Sequence, residues 1–141
     1  MLNNKNVSMK GHLMSTIARP QNPEKNPRVK SVFEDIRATR KSDFINNLWH
    51  YLAFDPELLE NTWRDVKEIM TKPSHLDPIT KELIYAAVSI DNSCEYCIHS
   101  HTAAAKSKGL TEKQYAEFLS IVSLAGRTNH LLNGIKVQIE S

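Results

Sequence analysis

The sequence predicts an all-α protein of about six helices, and three observations carry that prediction. Apolar residues recur at three- and four-residue spacing along most of the chain from Asn26 onward. Asn26-Pro27, Asp55-Pro56 and Asp77-Pro78 each place a capping side chain before a proline suited to the first helical position. No segment alternates as a strand between turn signals, and four glycines with six prolines are too few for a loop-rich β-sandwich.

Residues 1–25 are rich in Asn and Lys and show no sustained apolar period. They read as a flexible N-terminal arm, or one that orders only on a partner subunit. Residues 26–141 read as the helical domain. Its first helix follows Asn26 and carries Val29, Val32, Phe33 and Ile36 on one face. Ser42 is the expected cap of a second, with Phe44, Ile45, Leu48, Trp49 and Leu52. Asp55 opens a third, running from Leu58 to Met70, and Asp77 a fourth, with Ile79, Leu83, Ile84, Ala87 and Val88. Asn92 and Ser93 are candidate caps for a fifth helix through Lys108, which Gly109 stops. Thr111-x-x-Gln114 matches a capping box at the head of a long sixth helix, which Gly126 and Gly134 bend or end.

At 141 residues the chain is expected to form a single domain. Hydrophobic residues at 40% and charged residues at 24% describe an ordinary globular protein. A net charge of +2, with no basic stripe interleaved with aromatics, gives no footing for nucleic acid. No run approaches a membrane span and the N-terminus lacks a signal-like apolar segment, so the expected compartment is cytoplasmic. There, a lone cysteine pair points to catalysis or metal binding rather than a structural staple.

That pair is the chemically informative part of the chain. Cys94 and Cys97 are its only cysteines, spaced C-x-x-C, with His101 four residues beyond and Glu82 twelve residues before. On a helix turning about 100° per residue, His101 falls on the face of the two thiols while His99 points away. His101 lies one turn beyond Cys97 but about 10 Å along the axis from Cys94. A histidine base on this face therefore activates Cys97.

Cys94 stands near the helix start, where the macrodipole favours a thiolate by only about 0.3–1 kcal/mol. Moving a thiol from about 8.5 to about 6.5 needs nearly 3 kcal/mol, so a second perturber is required. An imidazole polarised by a carboxylate supplies one. Glu82, in the mostly apolar stretch Lys81–Val88, fits if its helix packs against the cysteine helix. A surface ion pair with Lys81 or Lys108 is the ordinary alternative for such a residue. Tyr85, one turn from Glu82, is placed to line the same pocket. Thiols at i and i+3 also lie near the separation a disulfide needs.

Glu82 followed by Cys94-Glu95-Tyr96-Cys97 and His101 resembles the AhpD-like (alkylhydroperoxidase) branch of the carboxymuconolactone decarboxylase superfamily. The run LDPITKELIYAAVSIDNSCEYCIHSHTAAAKSKGLT looks like the core of that family, and VFEDIRATR and DFINNLWHYLAFDPELLENTW look like the helices preceding it in one subgroup. The resemblance spans roughly residues 28–139.

The resemblance implies an all-helical subunit assembled into trimers or hexamers, with the CxxC at a helix N-terminus. It implies thiol-dependent reduction of a hydroperoxide in antioxidant defence, with no metal, haem, flavin or other cofactor. By position, Cys97 attacks the peroxide through a sulfenic acid, and Cys94 donates the leaving-group proton and closes the disulfide. His101 and Glu82 form the proton relay. A dithiol protein, lipoylated by family precedent, supplies reducing equivalents. One departure stands out: the family's best-known peroxidases carry histidine immediately before the second cysteine, where this chain has Tyr96.

Two competing readings follow from the same residues. One keeps the redox pair without peroxide, as a thiol–disulfide oxidoreductase or redox sensor. The other is a metal-binding or scaffolding helical oligomer, although structural zinc usually takes a second ligand pair from a separate segment.

Overall fold

A computed structural model describes residues 15–140 of the chain. Most of the arm expected over residues 1–25 therefore lies outside the described residues. The elements are a 3₁₀ turn Pro23–Lys25, α1 (Pro27–Arg40), α2 (Asn47–Leu52), α3 (Pro56–Val66), a π-helical turn Lys67–Thr71, α4 (Pro78–Asp91), α5 (Glu95–Ser107) and α6 (Glu112–Ile135). The all-α class and the six α-helices agree with the sequence; no strand occurs among the described residues.

The chain packs as two compact units, one ending at Val66 and the other beginning at Lys67. The first is organised by the apolar face of α1. Val29, Val32, Phe33 and Ile36 are buried there with Ile45, Trp49, Ala53, Leu59 and Trp63. Trp49 and Trp63 meet edge-to-face at 5.4 Å, and the buried Trp63 indole N–H donates to Asp35 at 2.7 Å. Arg37 grips Glu24 of the 3₁₀ turn at 2.7 Å, which ties that segment to α1.

The proline-led starts form as expected. The Asn26 side-chain oxygen Oδ1 accepts the Arg28 N–H at 2.9 Å, the Asp55 carboxylate accepts from the Glu57 N–H at 3.1 Å, and the Asp77 carboxylate from the Thr80 N–H at 2.9 Å. Two expectations need correction. Ser42 does not cap α2: its hydroxyl accepts the Phe44 N–H in a local turn, and the helix begins only after Asn46. The apolar period through Met70 is not one α-helix either, since α3 passes into the π-helical turn after Val66.

In the second unit, α4 and α5 form a helical hairpin joined through Asn92, Ser93 and Cys94. Cys94 itself, not Asn92 or Ser93, is the N-cap of α5. Ser93 instead makes the reversal with φ +56°, in the left-handed region, and Cys94 N–H bonds the Ser89 carbonyl at 2.9 Å. At the far end Gly109 takes φ +104°, and the Leu110 N–H reaches back to the Ala105 carbonyl at 3.1 Å, closing the last turn.

Helix α6 opens with the expected capping box, Thr111 and Gln114 bonding each other's backbone N–H at 2.9 and 3.2 Å. It runs through Gly126 and Gly134 and stops after Ile135, where Lys136 is left-handed. None of its 24 residues is buried. Leu119, Ile121, Leu124, Leu131, Leu132 and Ile135 all stand exposed along it. No helix among the described residues is long and apolar enough to cross a membrane.

Candidate active site

The hairpin register decides which side chains meet. Residues near the start of α4 face the C-terminal half of α5, and residues near its end face the cysteines. Glu82, in the first turns of α4, is only 5% exposed. One carboxylate oxygen lies 2.6 Å from His101 Nδ1, and the other accepts from the Lys108 ammonium at 2.7 Å. The contact with His101 and the ion pair with Lys108, read as alternatives in the sequence, thus occur together. Burial pushes the Glu82 carboxyl up, but the hydrogen bonds from His101 and Lys108 outweigh it and hold the group below its usual value of 4.5.

That charge fixes the imidazole. A carboxylate only accepts, so Nδ1 must carry the proton it shares with Glu82. In neutral His101 the basic lone pair is then on Nε2. The ring is further held by Tyr85, which stacks on it at 3.6 Å with the planes 20° apart. Burial raises the Tyr85 hydroxyl, and negative charge on Cys97, Cys94 and Glu82 raises it further.

The two cysteines are free thiols. Cys94 Sγ accepts the Cys97 N–H at 3.4 Å, completing the cap of α5. Cys97 lines the same cavity wall as Cys94 and Ser89. Burial and the adjacent Cys94 push the Cys97 thiol up to about 11, while the Ser89 bond pulls it down. The expected C-x-x-C proximity is therefore present. The imidazole itself engages Glu82 and Tyr85.

Both cysteines open onto a cavity of about 690 Å³. Its apolar wall is formed by Ile69, Met70, Leu76, Ile84 and Val88, with Tyr85 and Ser89 beside the sulfurs. The Lys81 ammonium donates to the carbonyls of Ile69 at 2.7 Å and Lys72 at 3.0 Å, pinning the π-helical turn against α4. A π-helical turn at a cavity wall is a frequent functional arrangement. His99 lines a separate depression with Thr102, Lys106 and Tyr115, on the side of α5 the helical projection gave it. Among the described residues no three His, Cys, Asp or Glu side chains converge as a metal site.

Sequence reasoning missed Ser89 and the double role of Lys108. A signal for Ser89 was available: it lies seven residues after Glu82, on the same helical face and in the same apolar run.

Residues 56–139 match the model of the carboxymuconolactone decarboxylase family, and the chain belongs to that family. Within it, the chain sits in the AhpD-like branch. A crystal structure of the alkylhydroperoxidase AhpD core from Rhodospirillum rubrum is similar, with 51% sequence identity and a TM-score of 0.87 over 90% of this chain and 95% of that one. A search of curated proteins found no match.

Proposed function

We propose that the protein is a thiol-dependent hydroperoxide reductase that works through the Cys94–Cys97 pair. The observation that carries this reading is the buried Glu82 carboxylate fixing His101, on the same hairpin as two adjoining thiols that open onto an apolar cavity. Similarity to an alkylhydroperoxidase core supports it.

A Cys97 thiol raised to about 11 is mostly protonated at neutral pH, so it needs a base. His101 takes that role, directly or through a water, with Glu82 stabilising the imidazolium as it forms. The Cys97 thiolate attacks the distal peroxide oxygen and the O–O bond breaks. Cys97 becomes a sulfenic acid, and the alkoxide takes a proton from Cys94 and leaves as the alcohol. The Cys94 thiolate then displaces hydroxide from the Cys97 sulfur, forming the disulfide, and the hydroxide takes the proton held by His101 and leaves as water. A dithiol protein, for which a lipoylated carrier is the family precedent, restores both thiols. No metal or organic cofactor enters this cycle.

The same reading makes the active form a homo-oligomer, a trimer or hexamer. The unburied apolar side chains of α6 supply a surface for association. Light scattering on the purified protein gives the subunit number.

A thiol–disulfide oxidoreductase is the second reading, favoured by the C-x-x-C spacing and the Cys94 Sγ lying 3.4 Å from the Cys97 N–H. Reduced protein mixed with an organic hydroperoxide separates the two. Stoichiometric loss of peroxide, turnover with dihydrolipoyl carrier or thioredoxin, and no turnover by Cys97→Ser are expected. No peroxide loss from reduced wild type would leave the exchange reading in place.

A further inference from the structure

Lys81 stands in the first turn of α4, beside the π-helical turn Lys67–Thr71. Its ammonium donates to the Ile69 carbonyl at 2.7 Å and to the Lys72 carbonyl at 3.0 Å. The last carbonyls of a helical stretch lack partners along the chain, so they are natural targets for an outside donor. Thr71 meets another of them from within the turn, its hydroxyl donating to the Lys67 carbonyl at 2.6 Å. Glu68, on the same cavity rim as Lys81, pairs with Lys72.

The held turn carries part of the cavity wall. Ile69 and Met70 line the cavity, and Ile69 is 64% exposed, so its own packing does not fix it. Ile84, Tyr85 and Val88 line it from α4, recurring with Lys81 at three- and four-residue spacing on one helical face. Lys81 and Ser89 both line the cavity and lie about 12 Å apart along the helix axis. The cysteines and Ser89 stand at one end of this face, Lys81 and the turn it holds at the other. Hydrogen peroxide leaves that apolar length unused.

We infer that Lys81 is a positioning residue for substrate selection: its two carbonyl contacts fix the π-helical turn as a cavity wall, and that wall favours hydroperoxides carrying a bulky apolar group. The inference rests on the reading of the cavity as the peroxide site. In it Lys81 acts through Ile69 and Met70, while the sulfurs and the Glu82–His101 relay do the chemistry.

The test compares wild type, Lys81→Met, Lys81→Arg and Ile69→Ala as full-length reduced proteins, and reads two ratios. One is kcat/KM for cumene hydroperoxide over that for hydrogen peroxide. The other is the rate of thiol modification by N-benzylmaleimide over that by N-methylmaleimide, which has the same reactive group without the ring. Lys81→Met keeps an apolar stem and loses the donors, and both ratios are expected to fall about tenfold, the scale of one misplaced apolar contact. Lys81→Arg, which keeps donors, is expected to recover most of that loss. Hydrogen exchange over residues 68–72 should quicken in Lys81→Met and not in Lys81→Arg. A general fall in rate with both ratios unchanged is what a merely structural lysine gives, and it overturns the assignment, as do equal falls in the Met and Arg variants. Should Lys81→Met fail to fold, Ile69→Ala decides, since an exposed side chain tolerates truncation: unchanged ratios there remove the turn from substrate selection. Peroxide consumption by wild type is scored separately. Its absence would sink the reductase reading and leave the maleimide ratio to judge Lys81 alone.

Discussion

The Glu82 carboxylate lies 2.6 Å from His101 Nδ1, and nineteen residues of chain separate the two. The carboxylate and the imidazole are therefore each held by a partner. Lys108 grips the second carboxylate oxygen, so the acid cannot rotate away from the imidazole without breaking an ion pair.

Glu82→Gln keeps the side chain's shape and removes its charge. Peroxide turnover is expected to fall by about 10²-fold, the scale of a lost acid–base arrangement. Stability is expected to fall by about 1–3 kcal/mol, since a buried acceptor of charged hydrogen bonds is gone. Steady-state kinetics and urea unfolding measure the two effects.

The same carboxyl sets a pH dependence. Its folded value lies below 4.5, so the unfolded chain binds the proton more readily. The stabilisation it gives is complete well above pH 4.5 and is lost as pH falls through 4.5 towards the lower folded value. The gap in urea midpoint between wild type and Glu82→Gln should close over that acidic range. A gap that persists unchanged to pH 3 would mean that charge is not its source.

Cys97→Ser should abolish turnover, while Cys94→Ser should accumulate a sulfenic acid at Cys97 that dimedone traps. Mass spectrometry of the two adducts decides the order of the sulfurs. Trapping at Cys94 in the Cys97→Ser protein would reverse it.

Tyr85 holds the His101 ring by stacking, so the aromatic face matters more than the hydroxyl. Tyr85→Phe should stay within about twofold of wild type, and Tyr85→Ala should lose about three- to tenfold in kcat, in line with about 0.5–1.5 kcal/mol for an aromatic pair. Equal losses in both variants would move the role to the hydroxyl.

Ser93 occupies the left-handed region at φ +56° with a side chain that gains nothing from it. Ser93→Gly removes a cost of about 1 kcal/mol and should raise the urea midpoint without altering turnover. A lowered midpoint would show that the serine side chain supports the turn.

Much of this was legible in the sequence, because local rules govern it. Asn26, Asp55, Asp77 and the Thr111–Gln114 box start helices through bonds that span two or three residues, and pattern alone locates such bonds. The meeting of Glu82 with His101 was legible as a condition, awaiting only the packing of two adjacent helices. What escaped depends on register and tertiary context. The left-handed Ser93 moved the cap from Asn92 or Ser93 to Cys94, and the π-helical turn broke an apolar period that reads as one continuous helix.

The side chains of the proposed chemistry all fall between Glu82 and Lys108, on two helices joined by a tight reversal. Contacts so close along the chain cost little loop entropy to close and keep contact order low. The residues proposed to act on peroxide are thus brought together locally, by the zipping of one hairpin, which makes that segment a candidate for transplantation onto another helical scaffold.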